Sequence, residues 1–482
     1  MNYLAFDLGA SSGKLFLGGV DGGRLRLREV HRFENGPVAL ARHLYWDFFA
    51  IHRNLCEGIR IACAEAGGPI ASLGIDSFSN DFCLIGRDGA LLTPMRCYRD
   101  DRTARAREAI FQKCPPRRLY TLSGNQVALF NTAMQLAAMR EENDRSLDSG
   151  ATLLLLPDLL CALLTGDVSG EYTISSVTQL FDFAADTWHA ELLKAFGIPA
   201  ELLPPVCHPG SPRGVIRPET GLPAIPVVTV CEHDTASAFL AAPLTGDAAI
   251  ISSGTWSLVG TETPAPVITE YGFAHNVANE GGLPGHHRLL RNVMGSWLLQ
   301  ELRAEYAGEG VTLSFGGLAE LGAAEPPFSF LIDVDDECFF SPGDVRRKIR
   351  SRGRGAVPPE RPGQFVRCIC ESLALKYRYS IEVLEELCGR PLREIHIVGG
   401  GSKDSFLCQL TADACGRSVH AGPADASAVG NLLVQLMAAG ELESVEAGRA
   451  LIRASFPIQT FAPRRGEWDA VYRCYCEHFH LK

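Results

Sequence analysis

The sequence predicts an α/β fold in two domains, and its length and the placement of its apolar segments carry this prediction. A chain of 482 residues is longer than one hydrophobic core normally holds. Short apolar stretches bounded by turn residues predict a first set of strands at residues 3–8, 14–20, 24–32 and 71–76. Helical stretches follow, then a proline-rich connector at 203–226, and a second set of strands begins after Gly246. This order favours two α/β domains.

The second set of strands repeats the first hairpin of the chain. Residues 248–252 and 257–260 are apolar and flank the turn Ser253-Gly254-Thr255. The echo favours two domains that each present a hairpin turn to a shared cleft. The expected domains are 1–243 and 244–482, with the boundary near Pro243–Gly246 and a hinge at 241–247.

The first hairpin turn combines a carboxylate with groups that bind anions. Asp7 lies near the end of the first strand, and Gly9-Ala10-Ser11-Ser12-Gly13-Lys14 follows. Backbone amides of glycines, serine hydroxyls and a lysine suit phosphate, and Asp7 suits a magnesium ion held through water. A plain hairpin turn uses the same residue types. A Walker A loop does not fit, because only three residues separate the glycines and Leu15 starts a strand, so a P-loop kinase is disfavoured.

A second carboxylate precedes the second hairpin. His233-Asp234-Thr235 follows the apolar stretch 225–230 and stands shortly before Ser253-Gly254-Thr255. Transfer of a phosphoryl group to an alcohol needs an acceptor for the hydroxyl proton and fixed donors around the transferred oxygens. Asp234 is the candidate base, and the turn is the candidate phosphate cradle. The same residues also suit an ordinary helix N-cap.

Two further segments could contact a nucleotide or a sugar. Strand 396–398 runs into Gly399-Gly400-Gly401 and then a helix, so bare backbone at a helix start could approach a ribose and its α-phosphate. Close packing of strand against helix is the alternative. Segment 291–300 is predicted as a helix start, from which the amides of Asn292 and Gln300 could reach a ligand, cap the helix or face solvent.

The composition of the chain excludes some classes of binding partner and indicates a cellular compartment. The formal charge of −11 and the pI near 5.7 argue against a nucleic-acid or anionic-membrane partner. The chain opens without a basic leader or a long apolar segment, which predicts a soluble cytoplasmic protein. The 16 cysteines are scattered through apolar segments, so we expect reduced thiols.

The C-terminal tail alternates potential metal ligands. Cys474, Cys476, His478 and His480 recur at period two, which would align them on one face of a strand. The end of an amphipathic helix fits the same residues, and the spacing is tighter than in usual zinc pairs.

In their order along the chain, these motifs resemble those of the FGGY carbohydrate kinases of the actin-like ATPase superfamily. The likeness runs nearly end to end and is strongest to the kinases of L-rhamnulose. Besides the turns above, it includes Val30-His-Arg-Phe33, Gly74-Ile-Asp76, Tyr98-Arg-Asp100, Leu156-Pro-Asp158, Leu164-Thr-Gly166, Glu171-Tyr-Thr173, Asn279-Glu-Gly-Gly282, Ala412-Asp-Ala-Cys415 and Ala421-Gly-Pro423. The resemblance implies an α/β fold of two actin-like (ribonuclease H-like) ATPase domains flanking a central cleft. It also implies ATP and magnesium as cofactors, and phosphorylation of the 1-hydroxyl of L-rhamnulose in L-rhamnose catabolism.

The resemblance assigns roles to single residues. Asp234 would be the proton acceptor, and Asp7 would be the magnesium-side carboxylate. His233, Asp234, Thr235 and Asn292 would contact the sugar, and Ser79 would belong to a turn that walls the sugar pocket. The implied nucleotide contacts are Ala10, Ser11, Ser12, Gly13, Lys14, Thr255, Gln300 and Gly400.

Two segments depart from the pattern of the L-rhamnulose kinases. The chain has Ser77-Phe78-Ser79-Asn80-Asp81-Phe82 where those kinases have Thr-Trp-Gly-Val-Asp-Phe, which changes volume and adds polar groups beside the sugar. L-fuculose, L-ribulose and D-xylulose are therefore alternative substrates. Asp404 stands where asparagine is expected near the adenosine, and a carboxylate there would repel phosphates unless Lys403 or solvent offsets it. A non-catalytic sugar or nucleotide sensor is a further alternative, against which Asp234 argues.

Overall fold

Contacts within the chain divide it into two units in the computed structural model, which describes residues 1–481. Unit 1 contains Met1–Ala241, Glu262–Leu289 and Ser427–Ser455. Unit 2 contains Ala242–Thr261, Leu290–Ala426 and the segment that begins at Phe456. Each unit is assembled from three separate stretches of sequence. The functional domains expected at 1–243 and 244–482 stay a prediction.

The elements are numbered here in chain order. The strands up to residue 241 are β1 (Asn2–Leu8), β2 (Ser12–Asp21), β3 (Arg24–Glu34), β4 (Pro37–Leu40), β5 (His43–Trp46), β6 (Ile70–Ser77), β7 (Phe82–Ile85), β8 (Thr152–Leu155), β9 (Gly170–Glu171), β10 (Phe181–Asp182), β11 (Thr187–Trp188), β12 (Val206–Cys207), β13 (Pro212–Val215) and β14 (Pro226–Val228). The helices of this stretch are α1 (Phe48–Glu65), α2 (Arg102–Lys113), α3 (Pro116–Ser123), α4 (Thr132–Glu141), α5 (Ser146–Ser149), α6 (Leu156–Thr165), α7 (Tyr172–Ser175), α8 (Ala190–Phe196) and α9 (Asp234–Leu240).

The remaining elements follow residue 241. The strands are β15 (Ala248–Ser253), β16 (Trp256–Thr263), β17 (Ala278–Glu280), β18 (His287–Met294), β19 (Phe330–Leu331), β20 (Arg354–Gly355), β21 (Glu394–Val398), β22 (Val419–Ala421) and β23 (Gln459–Phe461). The helices are α10 (Glu270–Ala274), α11 (Trp297–Gly308), α12 (Phe315–Ala323), α13 (Val345–Arg352), α14 (Pro362–Cys388), α15 (Ser405–Cys415), α16 (Ala426–Ala438), α17 (Val445–Ser455) and α18 (Trp468–His478). Short 3₁₀ helices lie at Ser176–Thr178, Ala200–Leu202, Pro218–Thr220, Glu337–Phe339 and Gly400–Lys403.

A six-stranded sheet in the order β13-β14-β6-β1-β2-β3 belongs to unit 1. β1 pairs antiparallel with β2 and parallel with β6, which aligns Asp7 with Lys14 on one side and with Asp76 on the other. Successive residues of β1 and β6 are buried, so both faces of these strands are covered and their sequences are nearly continuously apolar. Side chains of α1 and α6 share the core with them. The strands predicted near the N-terminus are confirmed.

The stretch predicted as a connector at 203–226 contributes some of its residues to this sheet. β13 pairs with β14, and β14 pairs in parallel with β6 through Val227 and Leu73. Pro212 and Pro226 are the first residues of β13 and β14, a position where the missing N–H of proline is tolerated. Two prolines of this stretch therefore mark the starts of strands.

The second predicted hairpin is also confirmed. β15 and β16 pair antiparallel up to Ser253 and Ser257, and β15 pairs in parallel with β21. They belong to a seven-stranded sheet in the order β17-β18-β16-β15-β21-β22-β23. The 27-residue helix α14 is buried along most of its length and packs against α12 and α15 in unit 2.

The segment 291–300, predicted as a helix start, is divided between a strand and a helix. Asn292 lies in β18, which ends at Met294, and α11 begins at Trp297, so only Gln300 lies on a helix. The prediction that Asn292 belongs to a helix is wrong. β18 is a strand because it lies beside β16 in the sheet, a long-range contact that local sequence does not indicate.

The tail forms a helix and not a strand. Cys474, Cys476 and His478 lie in α18, where side chains two residues apart point to different sides, and Cys476 is buried while Cys474 is exposed. The strand-face alternative for these residues is wrong. The 16 cysteines are thiols in this structure. Within residues 1–481, no helix has both the length and the apolar content that a membrane span requires.

The contact between α9 and α16 in unit 1 requires a glycine. A Cβ atom on Gly430 of α16 would collide with the backbone carbonyl of Ser237 in α9. We expect Gly430→Ala to lower the free energy of unfolding by about 1–3 kcal/mol, because the backbones must separate. Chemical denaturation measures this change. Gly36→Ala is the matched control, since a Cβ at Gly36 meets open space. Equal stability of the two variants would contradict the predicted collision.

Candidate active site

Two carboxylates from neighbouring strands lie side by side in unit 1. The parallel register of β1 and β6 pairs Asp7 with Asp76. Asp76 is fully buried, its Oδ2 accepts a hydrogen bond from Asn431 Nδ2 at 2.7 Å, and its Oδ1 has no hydrogen-bond partner among residues 1–481. Burial, followed by the charge of Asp7, holds the pKa of Asp76 well above its usual value, and Lys14 opposes this shift. Such a pair of oxygen donors suits a hard cation.

The turn after Asp7 is held in place by the neighbouring strand. The N–H of Gly9 donates to the carbonyl of Ser12 at 2.9 Å, and the side chain of Asn35 donates to the carbonyl of Gly9 at 2.9 Å. The N–H of Asn35 donates to the carbonyl of Ser11 at 3.1 Å. These bonds fix the backbone of the turn while Ser11 stays exposed. The phosphate-binding role of Ala10–Lys14 stays a prediction.

Asp234 lies at the carboxyl end of β6. It is the first residue of α9, and the backbone before it is anchored because the N–H of Ser77 donates to the carbonyl of Glu232 at 2.9 Å. His233 forms a parallel bridge with Ser77. The neighbouring residue of β6 is Asp76, and the charge of Asp234 contributes to the raised pKa of Asp76. The structure therefore brings Asp234 to the same end of the sheet as the Asp7–Asp76 pair.

The surroundings of Asp234 shift the pKa of its carboxyl group in opposite directions. Burial raises the pKa of its carboxyl group, and His233 and the hydroxyl of Thr235, which donates to Asp234 Oδ1 at 3.1 Å, act in the opposite direction. The Asp234 side chain is still 26 % exposed, so a ligand can reach it. His233 occupies the N-cap position of α9 without a side-chain capping bond. The alternative that these residues merely cap a helix therefore does not describe the side chain of His233.

Three buried side chains near this pair received no role from sequence analysis. They are Asp76, Glu280 and Arg288. Asp76 and Glu280 lie within motifs that the family resemblance quoted, which is the only sequence signal they carry. Arg288 approaches His233 within 3.3 Å from 55 residues away in sequence, and no local pattern marks such a contact.

The altered turn after β6 is fixed by a tertiary contact with α4. Asn80 has φ +77°, a left-handed conformation that asparagine tolerates and a β-branched residue does not. The carbonyl of Asn80 accepts from Thr132 Oγ1 at 2.9 Å, and its Oδ1 accepts from the Thr132 N–H at 3.2 Å. Phe78 packs on Trp46 with ring centroids 4.6 Å apart. Ser79, between these two residues, is half-buried.

In unit 2, the hairpin turn is joined to the start of α11. The carbonyl of Gly254 accepts from the N–H and Oγ of Ser296 at 3.1 and 2.7 Å. The N–H of Trp297 donates to the carbonyl of Thr255 at 3.1 Å. Gln300 Nε2 donates to Ser296 Oγ at 3.0 Å and lies 3.5 Å from Thr255 Oγ1. The structure thus brings Thr255 and Gln300, both predicted nucleotide contacts, to one place.

The glycine triplet divides into two packing positions and one open position. Gly399 has φ +83°, and a Cβ on Gly401 would collide with the side chain of Ser253, which belongs to the hairpin of unit 2. The close-packing alternative therefore holds for these two glycines. Gly400 is exposed, and a Cβ there would meet open space, so it can face a ligand.

Asn292 keeps an unsatisfied polar atom. Its Oδ1 is buried and has no hydrogen-bond partner within residues 1–481. Burial of an amide oxygen without a donor is unfavourable, and a bound hydroxyl would supply one. The sugar-binding role of Asn292 stays a prediction.

Comparison with known proteins assigns the chain to a family. The profile of the N-terminal domain of the FGGY family of carbohydrate kinases matches residues 2–241, and that of the C-terminal domain matches residues 249–439. The chain belongs to the FGGY family of carbohydrate kinases. This FGGY kinase is 43% identical over 479 residues to the rhamnulokinase of Bacteroides thetaiotaomicron, which covers 98% of both chains. It is 36% identical over 471 residues to the rhamnulokinase of Bacillus subtilis, with 96% of each chain covered.

Solved structures show the same fold at low sequence identity. The gluconate kinase of Lactobacillus acidophilus matches with a TM-score of 0.83 and 16% identity, over 99% of this chain and 97% of that one. The glycerol kinase of Plasmodium falciparum with ADP matches with a TM-score of 0.79 and 16% identity, over the same shares. The predicted α/β fold, with actin-like (ribonuclease H-like) ATPase domains, is confirmed.

Asp404, the unexpected carboxylate, is the N-cap of α15 in this FGGY kinase. Its Oδ1 accepts from the N–H of Leu407 at 3.0 Å, and burial raises its pKa. Asparagine can accept the same bond, so aspartate and asparagine serve equally at this position. The departure from the expected residue is explained by capping.

Removal of this cap should destabilise α15. We expect Asp404→Ala to lower the free energy of unfolding by about 0.5–2 kcal/mol, because the N–H of Leu407 loses its acceptor. Asp404→Asn is the matched control and should stay close to the unmodified protein. Chemical denaturation measures both. If Asp404→Asn were as unstable as Asp404→Ala, the charge and not the capping bond would be the stabilising element.

Proposed function

We propose that this FGGY kinase transfers the γ-phosphoryl group of ATP to the 1-hydroxyl of L-rhamnulose, with Asp234 as the general base. The observation that carries the proposal is the position of Asp234, a partly exposed carboxylate beside the Asp7–Asp76 pair. Relatives named rhamnulokinase, 36–43% identical over nearly the whole chain, support the choice of sugar. A cytoplasmic location belongs to the proposal, since ATP is available there and thiols stay reduced.

In the proposed reaction, the oxygen of the sugar 1-hydroxyl attacks the γ-phosphorus in line with the departing ADP. The proton of the hydroxyl passes to Asp234, the bond between the γ-phosphorus and the bridging oxygen breaks, and L-rhamnulose 1-phosphate and ADP are the products. His233 and Thr235 flank the base and would hold the sugar, and Ser79 and Asn292 are the further proposed sugar contacts. Positioning of this kind supplies much of the rate in phosphoryl transfer.

We propose one set of nucleotide contacts in unit 1 and another in unit 2. In unit 1 the turn Ala10–Lys14 offers backbone amides, two hydroxyls and the Lys14 ammonium to phosphate. In unit 2 the joined pair Thr255 and Gln300 offers a hydroxyl and an amide. Gly400 leaves open space next to its backbone, which suits contact with the flat nucleoside.

The residues of unit 1 fit a magnesium ion. Asp7 and Asp76 are register-paired oxygen ligands, and the buried Oδ1 of Asp76 lacks a hydrogen-bond donor among the described residues. Magnesium is commonly bound by one or two carboxylates together with water and substrate phosphates. When bound, the ion would neutralise charge on the phosphates of ATP. Asp7 and Asp76 would hold it, and Asp76 is an addition to the single ligand proposed from sequence.

The turn after β6 supports a different ketose as the alternative substrate. The turn Phe78-Ser79-Asn80 differs from that of the L-rhamnulose kinases, and its backbone is locked by Thr132 of α4. A hydroxyl at Ser79 can select among ketoses that differ in the configuration of a single hydroxyl group, since a site built for a hydrogen bond rejects analogues that lack it. L-Fuculose, L-ribulose and D-xylulose are the competing substrates.

Sugar-dependent release of ADP tests the proposal. The purified protein, with ATP and magnesium, should turn over L-rhamnulose faster than L-fuculose, L-ribulose or D-xylulose. Asp234→Asn should lower kcat by roughly 10²–10⁴-fold and keep ATP binding, because only proton acceptance is removed. Asp148→Asn, at an exposed carboxylate paired with Arg140, is the control for handling of the variants. Preference for another ketose would make that ketose the substrate. Near-normal turnover by Asp234→Asn would exclude Asp234 as the general base. An absence of sugar-dependent turnover would indicate a sensor.

The pH profile should report the surroundings of the base. Because burial raises the pKa of Asp234, and the base must be ionised, kcat/KM should fall on acidification at a pH above the ordinary aspartate value of about 3.9. Thr235→Val removes a hydroxyl that lowers this pKa, so its acid limb should move to higher pH. An acid limb at the same pH in both proteins would contradict the proposed role of Thr235.

A further inference from the structure

The ring of His233 is buried between charged groups of unit 1 and the candidate base. Its Nδ1 lies 3.2 and 3.3 Å from the two terminal nitrogens of Arg288 and 3.4 Å from Glu280 Oε2. Its Nε2 lies 3.6 Å from Asp234 Oδ1. One ring nitrogen therefore faces Arg288 and Glu280, and the other faces the base.

The guanidinium of Arg288 is itself held in place. Its side chain is 1% exposed, its Nε donates to the carbonyl of Gly281 at 2.8 Å, and a terminal nitrogen lies 2.8 Å from Glu280 Oε2. Burial disfavours a charged Glu280, but Arg288 and, after it, His233 outweigh this effect and hold the pKa of Glu280 below the usual value. Arg288 and Glu280 therefore form a buried ion pair of fixed geometry.

This geometry decides which nitrogen of His233 carries the proton. A guanidinium has only donors, so the nitrogen that faces it must present a lone pair. If Nδ1 carried a proton and donated to Glu280, two N–H groups of Arg288 would point at that same N–H. Glu280 Oε2 is ion-paired with Arg288 at 2.8 Å and, at 3.4 Å, lies farther from Nδ1 than either terminal nitrogen of Arg288, so it is the weaker partner of Nδ1. Nδ1 is therefore the acceptor, and the proton of the neutral ring lies on Nε2.

We propose that Arg288, held by Glu280, is a positioning residue that fixes His233 in the Nε2–H tautomer, with this N–H directed at Asp234. The proposal rests on Asp234 as the base of the proposed function. The separation of 3.6 Å is longer than a hydrogen bond, so the N–H acts on the carboxylate through its direction and partial charge. An N–H on this side favours the ionised carboxylate and leaves its other oxygen for the sugar hydroxyl.

Loss of Arg288 would reverse this arrangement. Glu280 would then be the only partner of Nδ1, and the proton would move to Nδ1 to donate to it. Nε2 would turn a lone pair toward the carboxylate of Asp234, and the two acceptors would repel each other. A histidine held in the wrong tautomer beside an acid–base partner loses much of its catalytic value.

Nitrogen NMR of the histidine-labelled protein tests the tautomer without reference to turnover. The ¹⁵N shifts distinguish a protonated from an unprotonated ring nitrogen, and a spectrum of His233→Gln identifies the signals of His233. We expect Nδ1 to be unprotonated and Nε2 protonated in the unmodified protein, and the reverse in Arg288→Met. A protonated Nδ1 in the unmodified protein would overturn the proposal, and so would an unchanged tautomer in folded Arg288→Met. If Arg288→Met does not fold, the unmodified protein still gives the answer.

Kinetics then connects the tautomer with catalysis. Arg288→Met should lower kcat at least about tenfold with a smaller change in KM, and Arg288→Lys, which keeps a donor, should recover part of the loss. Arg449→Met is the matched control, because Arg449 is a buried arginine of the same unit that pairs with Glu262, which in turn contacts His286. It should lower stability but leave kcat and the His233 tautomer unchanged. Equal kcat losses in Arg288→Met and Arg449→Met would reduce Arg288 to a structural residue.

The two proposals fail separately. Normal turnover by Asp234→Asn would exclude Asp234 as the base, but it would not affect the NMR result on the tautomer of His233. A protonated Nδ1 in the unmodified protein would remove the role of Arg288 and leave Asp234 as the base.

Discussion

The parallel pairing of β1 with β6 is the contact on which the candidate active site of unit 1 depends. It sets Asp7 beside Asp76 and places the end of β6 where Ser77 bridges to His233. Two register-paired carboxylates, of which Asp76 is fully buried, repel each other, and the raised pKa of Asp76 reflects its burial together with this repulsion. The hydrogen bond from Asn431 and the charge of Lys14 oppose it. A cation beside the pair would reduce this repulsion, as the magnesium ion of the proposed function would do.

The segment that carries Asp234, the proposed base, is anchored by buried ions. Arg213 lies 2.9 Å from Asp158 and 2.7 Å from Glu232, and all three side chains are almost fully buried. Glu232 directly precedes His233. The cluster of Arg213, Asp158 and Glu232 and the side chain of Arg288 therefore both contact the same short segment. Buried ion pairs contribute little net stability, but removal of one partner leaves an uncompensated charge and is costly. Their value here is a fixed position for the His233–Asp234 segment, which a general base requires.

The two departures from the family pattern show how backbone context decides the effect of a substitution. Asp404 differs from the expected asparagine, yet it makes the capping bond that asparagine would make. Asn80 stands where the L-rhamnulose kinases have valine, and it has a positive φ that valine tolerates poorly. The turn around Asn80 therefore has a backbone conformation that suits asparagine, whereas the start of α15 depends on a bond that either aspartate or asparagine can make. Of the two, the turn is the one that can alter sugar choice.

By itself, the sequence determined the features that depend on neighbouring residues. These were the strands of both hairpins, the turn residues after Asp7 and after Ser252, the helix that follows the glycine triplet, and the order of motifs that marks the FGGY family. Only the tertiary structure decided the rest. It made Asn292 part of a strand, turned a proline-rich stretch into β13, and brought Arg288 to His233. The reason is physical: hairpins and caps are local interactions, whereas sheet neighbours and buried ion pairs join residues that are distant in sequence, and no local pattern encodes which distant partner will be chosen.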